Sequence, residues 1–320
     1  MTNKRLAVGV DLGGTRFRVA LCDRQGQRLA RAEYPTRPDT GPQMVLDRIA
    51  GAIHNLLEAV PGDHQVVGVG LAAPGPLDPW RGVIYTAPNL PGWDNLPLAD
   101  ELAARCGLPV RVGNDANLAA VGEHRLGAGR GTTDMIYVTV STGVGGGVIA
   151  NGQLLLGVHG GAGEIGHTVI LPDGPPCNCG KRGCVEALAS GTAIARRATE
   201  AVAAGYATAL ARYPQPLTAE LVDAAADEGD TVAQAIIDDA AHALGIGLTN
   251  LLHLFDPAAI VVGGGVTRSG ERWWRELRAE IERRALPFYL RDYRVVPAAL
   301  GDDAGLLGAA LQVLDEGAEA

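Results

Sequence analysis

The chain has 320 residues, 47% of them hydrophobic and 20% charged, with a formal net charge of -9. That length builds one large or two medium domains, and the acidic balance excludes a basic field that would gather nucleic acid or anionic lipid. No apolar run reaches the roughly 18–20 residues of a membrane span, and five cysteines, with Cys22 and Cys106 isolated in regular segments, fit a reducing cytoplasm rather than a secreted disulfide framework.

The N-terminus breaks into Asp and Gly after six apolar-leaning positions, so LAVGVDL (6–12) reads as a strand rather than a signal peptide. GGT then leads into a second strand, RFRVALCD, so this glycine turn closes a hairpin, whereas a Rossmann or P-loop unit runs from strand directly into helix. Helical spacing predicts a helix over 44–60, ended by Pro61-Gly62, and a buried strand over 65–71 enters the turn APGPLD. A short helix at 97–105, a strand at 108–112 and a helix at about 116–125 follow. The pattern then repeats about 130 residues on, with a strand at 135–140, the turn STGVGGG, and a strand at 147–149. Helices at about 191–204, 218–228, 231–254, 269–285 and 304–315, with strands at 259–262 and 293–296, complete an α/β chain of two similar lobes.

DLGGT places Asp11 at a strand end, followed by Gly13, Gly14 and Thr15, whose N–H and hydroxyl groups can wrap phosphate oxygens. STGVGGG, with Thr142 and Gly143, and VVGGGV, with Gly264 and Gly265, offer the same resources after buried strands. Singly such turns are only tight turns; three at strand ends point to ligand binding. GAGEIG (161–166) matches a dinucleotide fingerprint in letters but has neither strand before it nor helix after it. No Walker A loop is present.

In VGNDANLAA, Asn114, Asp115 and Asn117 cluster at a strand-to-helix junction. Either Asn114 or Asp115 can serve as helix cap; alternatively the Asp115 carboxylate can accept a proton from a substrate hydroxyl. His167, Cys177, Cys179 and Cys184 form a Cys3His set that suits tetrahedral Zn²⁺. Four protein ligands leave no open position, so the metal is read as structural. Glu164 and Glu186 bracket this loop and are candidates for ligand contact.

Taken together, DLGGT, APGPLD, APN, NDAN, STGVGGG, GEIGH, CNCGKRGC with VEALASG, and VVGGG resemble the ROK family (repressor, open reading frame, kinase), and within it the bacterial glucokinases, over essentially the whole chain. The resemblance implies an actin-like, ribonuclease-H-like fold with an active-site cleft between a small lobe (1–118 plus about 303–320) and a large one (119–302) carrying the zinc loop. It implies ATP with Mg²⁺, where Asp11, Gly13, Gly14 and Thr15 surround the transferred phosphate and metal. Thr142 and Gly143 would hold the phosphates from the other side, and Gly264 and Gly265 the adenosine. The sugar would meet Gly75, Asn89, Asn114, Asp115, Glu164, His167 and Glu186, with Asp115 as the base for the 6-hydroxyl of glucose. One ring nitrogen of His167 would hold zinc and the other a sugar hydroxyl. A cytoplasmic homodimer or higher homo-oligomer is also implied.

Two positions depart from the family pattern: Arg16 stands where many relatives have lysine, and Gly113 where an acidic residue often precedes NDAN. N-acetylglucosamine kinase, N-acetylmannosamine kinase and fructokinase are the alternative activities within the family. A transcriptional regulator would carry a helical DNA-binding segment before the first strand, and only ten residues precede Asp11.

Overall fold

The computed structural model describes residues 4–87 and 90–316; Asn89, one of the expected sugar contacts, lies outside them. The first sheet is built from β1 (Lys4–Leu12), β2 (Arg16–Cys22), β3 (Arg28–Pro35), β4 (His64–Ala73) and, after the small hairpin β5 (Leu77–Asp78) and β6 (Val83–Ile84), β7 (Val110–Asn114). Its order is β3-β2-β1-β4-β7, antiparallel among the first three strands and parallel from β1 to β7. Helices α1 (Pro42–Leu57), α2 (Leu98–Cys106) and α3 (Asp115–Leu126) follow their strands.

A second sheet repeats that plan. Its strands are β8 (Met135–Val140), β9 (Val144–Ala150), β10 (Gln153–Leu154), β11 (Ala259–Gly263) and β12 (Val295–Pro297), in the order β10-β9-β8-β11-β12. Helices α4 (Val185–Ala189), α5 (Gly191–Ala203), α6 (Ala219–Asp227) and the 25-residue α7 (Thr231–Phe255) lie between β10 and β11. Helix α8 (Gly270–Arg284) precedes β12, and α9 (Ala304–Glu316) ends the described chain. The turn before β9 is shorter than the sequence suggests. Strand pairing resumes at Val144, leaving Ser141–Gly143 as the connection, because the glycines at 145–147 continue in extended conformation.

Strand β1 shows how residue size sets the layers. Leu6, Val8 and Val10 join a core with Val45, Leu46, Ile49 and Ile53 of α1. On the opposite face Ala7 meets Leu306, Leu307 and Ala310 of α9. Small residues on that face let α9 sit almost on the backbone: a Cβ on Gly70 would lie 1.8 Å from the Ala309 carbonyl oxygen.

The chain divides into two compact units, one of residues 1–131, 147–163 and 299–320, the other of 132–146 and 164–298. Helix α3 is continuous through residue 118, where the sequence suggested a lobe boundary, and packs along α9, so it stays whole in the first unit. Among the described residues no helix is long and apolar enough to cross a membrane.

Candidate active site

In the first unit, the hairpin turn is closed by Gly13 N–H donating to the Arg16 carbonyl at 3.0 Å. Thr36, the residue after β3, braces this turn: its hydroxyl donates to the Gly13 carbonyl at 2.6 Å and its N–H to that of Thr15 at 2.9 Å. Asp11 lies largely buried at the end of β1, and burial raises its carboxyl above the ordinary range, against the pull of the Arg18 guanidinium at 3.0 Å. Arg18 is a residue the sequence reading missed. The signal was present, because Leu12 faces Phe17 across the hairpin and the same register sets Asp11 opposite Arg18. Glu33, 3.2 Å from Arg18 Nε, holds the guanidinium in place.

At the start of α3 the two readings of the Asn-Asp pair separate. The Asn114 side-chain oxygen accepts from Ala116 N–H at 3.0 Å and Asn117 N–H at 3.2 Å, so Asn114 is the cap. Asp115 is the first helical residue, exposed, with one carboxylate oxygen 2.7 Å from Ala116 N. Gly75 stands beside them, where a Cβ would come within 3.2 Å of Asn114 Nδ2. Asn117, in contrast, is buried at 3% exposure.

In the second unit, Ser141–Gly143 forms a tight turn with Ser141 N–H donating to the Gly143 carbonyl at 2.9 Å. Gly264 has φ +93, a conformation open to glycine, and approaches the Val140 backbone too closely for any side chain. Gly265 faces open space. Glu164 and His167 lie on one short turn, with His167 Nε2 4.0 Å from Glu164 Oε2.

The loop from 167 to 184 gathers His167, Cys177, Cys179 and Cys184 so that their ligand atoms all lie within 4.8 Å of one another. Gly180 and Gly183 adopt positive φ and turn the chain back on itself. The spacing fits the donor set of a tetrahedral zinc ion. Bond lengths of about 2.3 Å to sulfur and 2.0–2.1 Å to nitrogen imply edges of about 3.8 Å and 3.6 Å. Cys179 and Cys184 sulfurs are 3.8 Å apart, and Cys177 Sγ is 3.6 Å from His167 Nδ1. Nδ1 is therefore the nitrogen on the cysteine side, and Nε2 the one facing Glu164. By contrast Cys22 and Cys106 are buried apart from the cluster, and burial pushes the Cys22 thiol up to about 12.

Two sheets of one strand order, each with a glycine turn inside an antiparallel strand pair, define the actin-like ATPase fold. The chain belongs to the ROK family, whose sequence pattern matches residues 7–316. A glucokinase from Halalkalibacterium halodurans is 42% identical over 312 residues, covering 95% of this chain and 93% of its own. The crystal structure of a ROK hexokinase from Thermus thermophilus matches with a TM-score of 0.86 at 38% identity, over 98% of this chain and 100% of that one. A ROK glucokinase from Streptomyces griseus, solved with glucose and AMPPNP, matches with a TM-score of 0.80 at 38% identity, over 95% and 98% of the two chains.

Proposed function

We propose that this protein is an ATP-dependent glucokinase that transfers the γ-phosphoryl group of ATP to the 6-hydroxyl of glucose, giving glucose 6-phosphate and ADP. Kinship with glucokinases along nearly the whole chain supports the substrate pair. The local observation that carries the mechanism lies at the start of α3: Asn114 is the cap, and the Asp115 carboxylate is exposed at the first helical position beside it.

In this reading the Asp115 carboxylate takes the proton from the 6-hydroxyl as that oxygen forms its bond to phosphorus and the bond to the ADP oxygen breaks. Such a base contributes about 10²–10⁴-fold. Gly75, Asn114, Glu164, Glu186 and His167 Nε2 are the sugar-contact residues of this reading, since a hexose demands several donors and acceptors at once. Asp11 with Gly13, Gly14 and Thr15 would surround the phosphoryl group in transit and hold Mg²⁺, Thr142 and Gly143 would hold the other phosphates, and Gly264 with Gly265 the adenosine. Mg²⁺ supplies charge neutralisation on the phosphates. His167, Cys177, Cys179 and Cys184 would hold a zinc ion whose part is structural, shaping the loop. A cytoplasmic homodimer belongs to the same reading.

The test is a panel of glucose, N-acetylglucosamine, N-acetylmannosamine and fructose, each with ATP, in the wild type and in Asp115→Asn. Glucose is expected to react fastest. Asp115→Asn is expected to lose at least about a hundredfold in turnover while still binding glucose. A faster amino sugar would overturn the substrate, and near-normal turnover in the variant would overturn the base.

A further inference from the structure

The turn Ser141–Gly143 is held by a segment that begins at a metal ligand. Cys184 is the N-cap of α4, and Val185 N–H donates to the carbonyl of Thr168, next to His167, at 3.0 Å. Both arms of the Cys3His loop therefore converge on the first turn of this five-residue helix. At its other end the chain grips the turn three times. Gly191 N–H donates to the Ser141 carbonyl at 2.7 Å, while Thr192 gives its N–H at 3.3 Å and its hydroxyl at 2.7 Å to the Thr142 carbonyl.

Glu186 closes the gap from the middle. Its Oε2 accepts from Val144 N–H at 3.0 Å, and its Oε1 lies 3.6 Å from the Cys177 sulfur. The carboxylate also lies over Gly143, where a Cβ would come within 2.5 Å of Oε2. One side chain thus touches a cluster cysteine and the residues of the turn. Glu186 sits two residues after the cluster residue Cys184 on α4, so a shift of the cluster moves the backbone that carries this carboxylate and is passed on to Val144.

We infer that α4 is a strut through which the Cys3His cluster sets the position of the Ser141–Gly143 turn, and that Glu186 is the positioning residue joining the two. The metal then serves nucleotide binding as well as the sugar loop. That functional consequence rests on the phosphate role proposed for Thr142 and Gly143; the mechanical link does not.

Amide hydrogen exchange at Val144, read without substrates, tests the link, with Ile260 N–H, which donates to the Arg294 carbonyl at 2.8 Å, as the internal reference. Glu186→Ala is expected to keep about one zinc per chain. A hydrogen bond to a charged acceptor is lost there, so Val144 should exchange about tenfold faster or more. AMPPNP, titrated without sugar, is expected to bind about tenfold more weakly to that variant. Glu186→Gln keeps a carbonyl oxygen in place and is expected to restore Val144 protection. Stripping zinc from the wild type should accelerate Val144 to the same degree, and stripping it from Glu186→Ala should add nothing there. Unchanged Val144 exchange in Glu186→Ala, or equal acceleration by zinc removal with and without Glu186, would overturn the strut. If the alanine variant does not fold, Glu186→Gln and the stripped wild type decide: slow exchange at Val144 after zinc loss overturns it. A wild type that neither binds AMPPNP nor phosphorylates glucose would instead overturn the proposed function, and the exchange results would still decide the mechanical link.

Discussion

The two glycine turns occupy equivalent places in sheets of the same strand order, yet they are held by unlike means. The turn after β1 is braced by a neighbour close in sequence, Thr36, and its carboxylate, Asp11, is held by Arg18 directly across the hairpin. The turn after β8 is braced from 42 or more positions away, by Glu186, Gly191 and Thr192, in a segment that starts at a cluster cysteine. A duplicated scaffold can therefore keep its glycine-turn geometry while one copy relies on local chain and the other on a loop that gathers three cysteines and a histidine. The first turn is held from its own hairpin and the residue just after β3, the second from a distant loop.

That contrast predicts different responses to the same insult. Cys179→Ser removes one of four ligands, and structural zinc sites in small domains carry binding energy on the order of 10 kcal/mol that is also folding energy. The variant is expected to lose its zinc by elemental analysis and to melt at markedly lower temperature. Val144 should lose exchange protection while Gly13 N–H, bonded to the Arg16 carbonyl, keeps it. Equal loss at both amides would break the comparison. The converse variant, Thr36→Val, strips the hydroxyl from a fully buried residue and leaves the Gly13 carbonyl short of a donor. It should cost about 1–3 kcal/mol in chemical denaturation, with zinc content and Val144 exchange unchanged.

Much of this was legible in the sequence. Long buried strands such as β1 and β8, and amphipathic helices such as α1 and α7, announce themselves through apolar runs and helical spacing, as did the cluster through its cysteine and histidine content. Other elements lacked a signal. Strand β3, RLARAEYP, is an edge with charged residues along it and no buried position. Helix α4 has five residues, too few to show a period, and β10 has two. The role of Glu186 toward Val144 joins positions 42 apart and follows from no local pattern. Which of Asn114 and Asp115 caps the helix was undecidable locally because both residue types cap; the hydrogen bonds of the folded helix make Asn114 the cap. Arg18 was recoverable, since a hairpin register read from the GGT turn places it opposite Asp11.

The smallest effect concerns the carboxylate that distinguishes the first turn from the second. Asp11 is ionisable and largely buried, and burial raises its pKa more than Arg18 lowers it. An acid whose folded pKa is raised binds protons more readily in the folded state. Its contribution to stability is then greatest below the unfolded value of about 3.9 and is lost as pH rises through the folded value. At neutral pH the ionised Asp11 accordingly works against folding in the protein free of nucleotide and magnesium. Asp11→Asn keeps the shape and removes the charge, and Arg18 retains Glu33 and Asp302 as partners. The variant should be slightly more stable than wild type at pH 7 in urea titrations, with the difference shrinking as pH falls toward about 4. Its phosphoryl transfer should fail. Ser141, standing where the second turn begins, carries no charge and makes no such trade; Ser141→Ala should show no comparable pH-dependent gain. A wild type more stable than Asp11→Asn at neutral pH would mean that the Arg18 pair, rather than burial, governs the site, and the first turn would then be held by charge more than by chain.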